Sequence, residues 1–427
     1  MNASVPLVVA LCLFPFLPTK IRINLDYSKF SLYICGIIVC IMKILFLTYH
    51  GFNPSSGITK KMLAQIKGLR QNGHEVHVCS YNTNEKGCHC RFIDNEVFEE
   101  YGCGKLGSIY QRFGWDNVFK YCISHHIEFV YARSYINASP WLVSFFSKLQ
   151  KAGIYSVTEI PTYPYDHEFD GLPIIHRFRL LVDKIFRKRL VSKNTAVVTF
   201  SDEKIIFGQR TIRISNGVDL DSIPLHQRVE NIKVVHLIGV AEVHPWHGFD
   251  RLLEGMGQYK QKGGMLRRPV IFHIVGKVWD TELYGTSMGP GFIPIIKKYE
   301  LDDYVVFHGK MFGKELDDVF YECSFAIGSL ARHRSGVTSI KTLKNREYAS
   351  RGIPFIYSEC DSDFDNQPYI LKAPANESPI DVDKILSFID KCNIDPVNIR
   401  KSVEHLTWKV QMEKVVDQLN YTQDDSI

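Results

Sequence analysis

The stretch "GSLARHRSGVTSIKTLKNREYASRG", residues 328–352, concentrates side chains that can handle phosphates and hydroxyls. Arg332, His333 and Arg334 fall in a loop that bends at Gly336, and Thr338 or Ser339 is the expected N-cap of the helix that follows. Cations, free backbone N–H groups and a helix N-terminus then converge, which suits the phosphates of a nucleotide. Within the helix, Lys344 and Tyr348 are four residues apart, as are Leu343 and Glu347. Glu347 can therefore face back over the strand edges, where a carboxylate accepts two hydrogen bonds from adjacent hydroxyls such as those of a ribose. A solvated charged face is the competing reading of the same charges. Gly352 and Pro354 end the helix, and Ile353, Phe355 and Ile356 read as a strand buried on both faces of a parallel sheet, whose edges bind ligands.

Other constellations bear on the same chemistry. "GVAEVHPWHGFDRLLEG" puts His247 and Gly248 at a helix start after a strand, where amides and the dipole favour an anion, although a packing or capping histidine fits too. Asn216-Gly217 suits a tight turn with positive φ. "TEIPTYPYDHEFD" gathers Glu159, Tyr163, Tyr165, Asp166 and Glu168 around two prolines; such a loop holds a sugar by stacking and bidentate hydrogen bonds, or is simply structural. The segment 174–193 is amphipathic and basic, with Arg177, Arg179, Lys184, Arg187, Lys188, Arg189 and Lys193 against Asp183 alone. It suits peripheral contact with an anionic membrane, or a core-facing helix with a solvated basic back.

The whole chain bounds these readings. Its 427 residues, 45% hydrophobic and 23% charged, predict two or three globular domains. A net charge of +5 does not call for nucleic acid. Eleven scattered cysteines argue against a disulfide scaffold and for a reducing, cytoplasmic setting. Cys88-His89-Cys90 with Cys103 lacks the second pair a zinc site would show, so no metal is expected. Residues 1–41 are an apolar leader: either a membrane anchor, or a start-site artefact with Met42 opening the first core strand, the favoured reading.

From Met42 onward, strand-like runs alternate with helix-period segments, the pattern of parallel α/β construction. In the first helix Ile58, Met62, Leu63, Ile66 and Leu69 fall on one face. A polar break near Asp221 to Asn231 separates an N-terminal Rossmann-like domain, 42–223, from a second one, 229–400. The remaining residues, 401–427, form a helix packing across the junction and a frayed tail. The fold class is thus α/β with two Rossmann-like domains facing across a cleft. A dehydrogenase is disfavoured, since no GxGxxG follows any strand.

From Met42 to about Trp408 the chain resembles the GT-B glycosyltransferases of family 4, through "MKILFLTYHGF", "ISNGVD", "WHGFDRLLEG", "HIVG", "FHGKMFGKELDDVF" and "LKNREYASRGIPFI" in that order. The resemblance implies a retaining transfer from a nucleotide-diphosphate sugar to a saccharide or lipid-linked acceptor, with no cofactor, and commonly in cell-surface polysaccharide assembly. The donor would bind the second half, with Gly276 and the "FHG" turn near the base, His247 at a helix start, and Arg332, Arg334, Lys341 or Lys344 as cations; Gly57, at a helix start of the first half, is the further donor-binding candidate. Glu347 matches the second carboxylate of the family's Glu-x7-Glu motif. Ser339 stands where the first carboxylate would be, Ala241 and His247 where the family's arginine and lysine would be, and Pro161 near the family's first-half histidine. No catalytic base is assigned. A nucleotide-sugar epimerase and a non-catalytic sugar-nucleotide-binding relative are the alternatives.

Overall fold

The computed structural model describes residues 32–34, 37–39, 41–52, 56–166, 174–227, 233–286 and 289–420. Contacts divide the chain into Met1–Ile41 and Met42–Ile427. In the first unit, β1 (Leu32–Ile34) and β2 (Ile37–Val39) pair antiparallel; the apolar leader otherwise lies outside the described residues.

The second unit opens on β3 (Lys43–Leu47), whose unbroken apolar run is buried on both faces as the pattern predicts. It is followed by α1 (Gly57–Gln71), β4 (Glu75–Thr83), β5 (Cys88–Ile93), β6 (Glu96–Cys103), α2 (Gly104–Tyr110), α3 (Asp116–Ser124) and β7 (Phe129–Arg133). Then come α4 (Pro140–Lys151), β8 (Tyr155–Ile160), α5 (Ile174–Val191), β9 (Ala196–Thr199), β10 (Ile205–Ile206) and β11 (Gln209–Arg213). They form one sheet in the order β10-β11-β9-β8-β7-β3-β4-β5-β6, parallel from β11 to β4.

The antiparallel β5 and β6 at its edge were not legible in the alternation, because charged residues interrupt them, Arg91 in β5 and Glu96, Glu99 and Glu100 in β6. Cys88 and Cys103 face each other across that pair and are joined by a disulfide, contrary to the expectation of thiols; among the described residues Cys79, Cys90, Cys122, Cys323 and Cys360 form no disulfide.

The second sheet is built from β12 (Val235–Val240), α6 (Phe249–Gln261), α7 (Gly264–Arg267), β13 (Val270–Val275), α8 (Asp280–Tyr284), the β14–β15 ribbon (Gly285–Thr286, Gly289–Pro290) and α9 (Phe292–Tyr299). It continues through β16 (Val305–Gly309), α10 (Lys314–Glu322), β17 (Phe325–Ile327), α11 (Leu343–Arg351), β18 (Phe355–Tyr357) and β19 (Ile370–Lys372). The six strands of this sheet are parallel, in the order β16-β13-β12-β17-β18-β19, and the β14–β15 ribbon stands apart from it. The order reverses between β12 and β17, so the loops leaving those two strands part to either side and leave a crevice.

The expected C-terminal helix is two: α13 (Pro396–Lys401), after α12 (Val382–Lys391), and α14 (Trp408–Asp417). Trp408, Met412 and Val415 of α14 return to the core of the first half beside Met62, Ile66 and Leu69 of α1. A Cβ on Gly217 would lie 2.3 Å from the Trp408 ring, and one on Gly68 2.6 Å from its carbonyl oxygen. Gly217 is thus required by close approach and not by positive φ, correcting the turn reading. The inner face of α1 is also rotated from the expected one. Ile58 and Leu63 are exposed, while Lys61, Gln65 and Gly68 are buried, because α14 crowds Gly68 and a buried carboxylate draws Lys61 and Gln65 inward.

Polar contacts tie the halves together. Fully buried Arg346 of α11 donates to Asp361 and Asp363 of its own half, and to Ser215 Oγ and the Asn216 carbonyl of the other. Asn216 Nδ2 donates to the Lys341 carbonyl at 2.7 Å. An Arg346→Ala chain leaves buried Asp361 without its cation and Asp363 with Lys341, at 4.0 Å, and it should lose about 3–5 kcal/mol of stability in urea unfolding, the usual cost of breaking one side of a buried ion pair.

Candidate functional site

The crevice at the reversal of the second sheet is lined by the turns after β12, β17 and β18. After β12, the residues 245–247 form a 3₁₀ turn, and Gly248, at φ +63°, starts α6. A Cβ on Gly248 would meet that of Ala331 at 2.8 Å, so glycine lets this turn pack on the 3₁₀ turn Arg332–Ser335 that follows β17. Leu330 N donates to the His247 carbonyl at 2.9 Å and Ala331 N to that of Trp246 at 3.2 Å. His247 is buried, and its Nδ1 accepts from His244 N at 2.9 Å. Burial, with Lys344 and Arg332 nearby, holds its pKa far below the usual value, so the ring is neutral at pH 7.

Glu359, two residues beyond β18, is the unusual member. It is 2% exposed, and neither carboxyl oxygen has a hydrogen-bond partner. An orphaned buried carboxyl is costly and calls for an explanation. Burial pushes its pKa up to about 7 against the pull of Lys344 and Arg332. Lys344, in the first turn of α11, is pushed down to about 7 by burial and by Arg332, against Glu359. Arg332 lies over the Trp246 ring, 5.5 Å from its centre, with Nε unpartnered. Two cations, a carboxyl that accepts no bond and a helix start thus face one crevice.

α11 begins later than the sequence implies. Its N-cap is Thr342, whose Oγ1 accepts from Asn345 N, and not Thr338 or Ser339. Ser339 instead pairs with Cys360 in a short parallel bridge, with Cys360 N donating to Thr338 O and Ile340 N to Cys360 O. Backbone pairing along the sheet edge outcompetes the cap, and it brings Glu359 to the residue next to Ser339's partner.

The remaining expected donor residues are placed as follows. Glu347 is half-buried and accepts from Arg351 Nε and Nη2 at 3.2 and 3.0 Å. Arg334 is committed to Asp250 and Glu377 and donates to the Pro245 carbonyl, which clamps the Arg332 turn onto α6. Gly276, at φ +126°, would place a Cβ 1.8 Å from the Ala241 carbonyl oxygen, and its N donates to Gly309 of the "FHG" turn at 2.7 Å. Gly57 opens α1, with open space where its Cβ would be. One turn on, Lys60 sits 5.0 Å from the Phe312 ring of the second half.

On the first half, Glu159 is the penultimate residue of β8 and is fully buried. It accepts from Gln65 Nε2 at 2.6 Å, Tyr131 Oη at 2.5 Å and Arg133 Nη1 at 3.0 Å, with Lys61 Nζ at 3.6 Å. Burial opposes its charge, but Lys61, Arg133 and these bonds prevail and hold its pKa low. Lys61 lies 3.4 Å from the centre of the Phe200 ring, and burial lowers its pKa to about 7. Arg346 of the second half contributes to that lowering, so this cluster lies within electrostatic reach of the joint.

Tyr165 is buried and donates to Asp183, Asp166 accepts from Arg187, and Tyr163 meets the Phe207 ring edge-on at 5.5 Å. Glu168 lies outside the described residues. Lys61, Arg133 and Glu359 escaped the sequence reading; the only signal for Lys61 was its i, i+4 spacing to Gln65, and nothing local marked Glu359.

No family model matches the chain, and no curated protein matches it. Solved structures do. Sucrose-phosphate synthase from Thermosynechococcus elongatus is similar with a TM-score of 0.57 and 15% identity, over 88% of this chain and 99% of that one. The trehalose-6-phosphate synthase OtsA matches at 0.52 with 10% identity over 89% and 99%, and AviGT4, a glycosyltransferase involved in avilamycin A biosynthesis, at 0.50 with 13% over 88% and 97%.

The chain has the GT-B fold. In GT-B terms, the cluster of Glu359, Lys344, Arg332 and His247 belongs to the second Rossmann-like half, and Glu159 with Lys61 to the first.

A carboxyl whose pKa is raised in the folded chain stabilises it fully below about pH 4.5, and that contribution fades as pH rises through about 7. Wild-type stability should therefore fall relative to Glu359→Gln between these values, in chemical denaturation across pH; parallel profiles would remove the shift.

Proposed function

We propose that this chain is a retaining glycosyltransferase that moves a sugar from a nucleotide-diphosphate donor to a saccharide or lipid-linked acceptor in cell-surface polysaccharide synthesis. The observation that carries the reading is the buried, unpartnered Glu359 carboxyl beside Lys344 and Arg332 at the crevice of a GT-B second half. The two cations and the N-terminus of α6 suit a diphosphate. Glu359 suits the hydroxyls of the donor sugar, the role left vacant by Ser339, and Glu347 suits the ribose. The E. coli trehalose-6-phosphate synthase, similar at a TM-score of 0.51 and 10% identity, is bound with UDP-2-fluoro glucose. That the donor half holds a nucleotide sugar here too is part of the proposal.

In the mechanism proposed, the sugar–phosphate bond breaks first and negative charge develops on the leaving diphosphate. Lys344 and Arg332, already in place, meet that charge without reorganisation and without a metal ion. With no base assigned, the departing phosphate oxygen takes the acceptor's proton. Closure of the halves over the donor would exclude water and limit hydrolysis.

A screen of nucleoside diphosphates by thermal shift should find one that stabilises the full chain. With its sugar donor and an acceptor, Lys344→Met should lower the transfer rate by about 10²–10³, as loss of one such stabilising group does. Altered sugar released without acceptor would instead establish the epimerase, and binding without turnover the non-catalytic relative.

The cytoplasmic face of a membrane is the proposed setting. No described helix is long and apolar enough to cross a bilayer. Yet α5 exposes Ile174 (83%), Phe178 (60%), Leu181 (55%) and Ile185 (60%) at spacings of four, three and four, on one face. Arg177, Lys188 and Arg189 are exposed beside them, while Asp183 is turned inward to Ala138 N and Tyr165. An apolar stripe with basic flanks suits the surface of an anionic bilayer. The chain should co-sediment with phosphatidylglycerol vesicles at low salt, and the double variant Phe178→Ser with Ile185→Ser should not; equal binding to neutral vesicles would refute this contact.

A further inference from the structure

The parallel strands β12, β13 and β16 each carry one histidine, in "VVHLIG", "IFHIVG" and "VFHG". The sheet turns all three to one face. His236 Nδ1 and His273 Nε2 are 2.9 Å apart, and His273 Nδ1 and His308 Nε2 are 2.8 Å apart, with the rings stacked at 5.1 Å in both pairs. Glu322, the last residue of α10, reaches the same place. One donor atom from each of His236, His273 and Glu322 lies within 4.8 Å of the other two. His273 is buried, His236 half-buried and Glu322 exposed, so the group is walled on the sheet side and open to water on the other.

We propose that His236, His273 and Glu322 form a site for a divalent transition metal of the zinc type. Two imidazoles and one carboxylate with a water-accessible fourth position are a donor set for zinc, whereas two nitrogen ligands disfavour calcium and magnesium. Bond lengths of about 2.0–2.2 Å put neighbouring donors on a tetrahedral ion about 3.3 Å apart. The 2.9 Å contact between the two rings opens to that spacing by a few tenths of an ångström, and the exposed Glu322 carboxylate swings in. The ion replaces the one proton shared by the two rings, which leaves to solvent. His308 keeps its bond to the other nitrogen of His273 and so orients the ligating ring, in the place where a carboxylate, carbonyl or water usually holds a metal-bound histidine.

His236 lies near the start of β12 and Glu322 at the end of α10, away from the strand exits that line the crevice holding Glu359. What the site joins is the end of α10 to β12 and β13. α10 runs into β17, the strand whose exit carries Arg332. The ion would fix that connection and add stability.

The full chain, treated with chelator and dialysed, would be titrated with Zn²⁺ by calorimetry and with Co²⁺ by visible absorption. One equivalent of Zn²⁺ should bind and raise the Tm, and Co²⁺ should give the absorption of a low-coordinate site. Glu322→Gln, an exposed change that keeps the fold, should weaken Zn²⁺ binding by roughly tenfold or more, since even outer-shell changes cost 10–100-fold. His236→Gln should abolish the Co²⁺ spectrum. Absence of binding, or affinity unchanged in both variants, overturns the proposal and leaves a chain of hydrogen-bonded imidazoles.

Discussion

Arg346 is the constraint on which the arrangement rests. Its guanidinium is fully buried where β11 leaves the first half and α11 enters the second, and burial of a cation is tolerable only if every donor finds an acceptor. Asp361, Asp363, Ser215, Asn216 and the Thr342 carbonyl supply them, from both halves. The network fixes how α11 is turned. With Arg346 inward, Lys344 and Glu347 emerge on the helix flanks, and Lys344 comes to face Glu359 and Arg332. The charge at one end of α11 therefore has two uses: one cation holds the halves in register, and the others serve the crevice.

The crevice is the opposite electrostatic case. Arg346 is over-provided with acceptors, whereas Glu359 has no donor, and its carboxyl survives burial by drifting towards neutrality beside Lys344, which burial also pushes towards neutrality. An arrangement that is unfavourable in the empty chain becomes favourable when hydroxyls and a diphosphate enter, which is how preorganised sites trade stability for binding. The first half shows the satisfied version, with Glu159 held by four side chains. Satisfaction at Glu159 favours rigidity of the wall; its absence at Glu359 favours a ligand.

Which features were legible in the sequence follows from the range of the forces involved. β3, β7, β12 and β13 announced themselves as largely apolar runs, because a parallel strand covered on both faces has little polar side. Gly352 at the end of α11 was legible too, since it takes the left-handed conformation, φ +77°, that glycine adopts freely. The β5–β6 pair was not, since its edge position leaves it half polar. The start of α11 was misplaced for a related reason: Ser339 and Thr338 have good local capping chemistry, but pairing with Cys360 is a contact across the sheet that no window of sequence contains.

By itself the sequence determined the alternating α/β plan, the two halves and the concentration of charge between 328 and 352, because periodicity, turn residues and composition act over a few residues. Tertiary structure alone decided which charges are spent and which are free. Arg334 is neutralised by Asp250 and Glu377, Arg346 is sealed into the joint, and Glu359, inconspicuous in the chain, becomes the buried carboxyl without a partner. The physical reason is that the state of an ionisable group depends on desolvation and on neighbours brought from distant strands, and neither is written in the order of the residues.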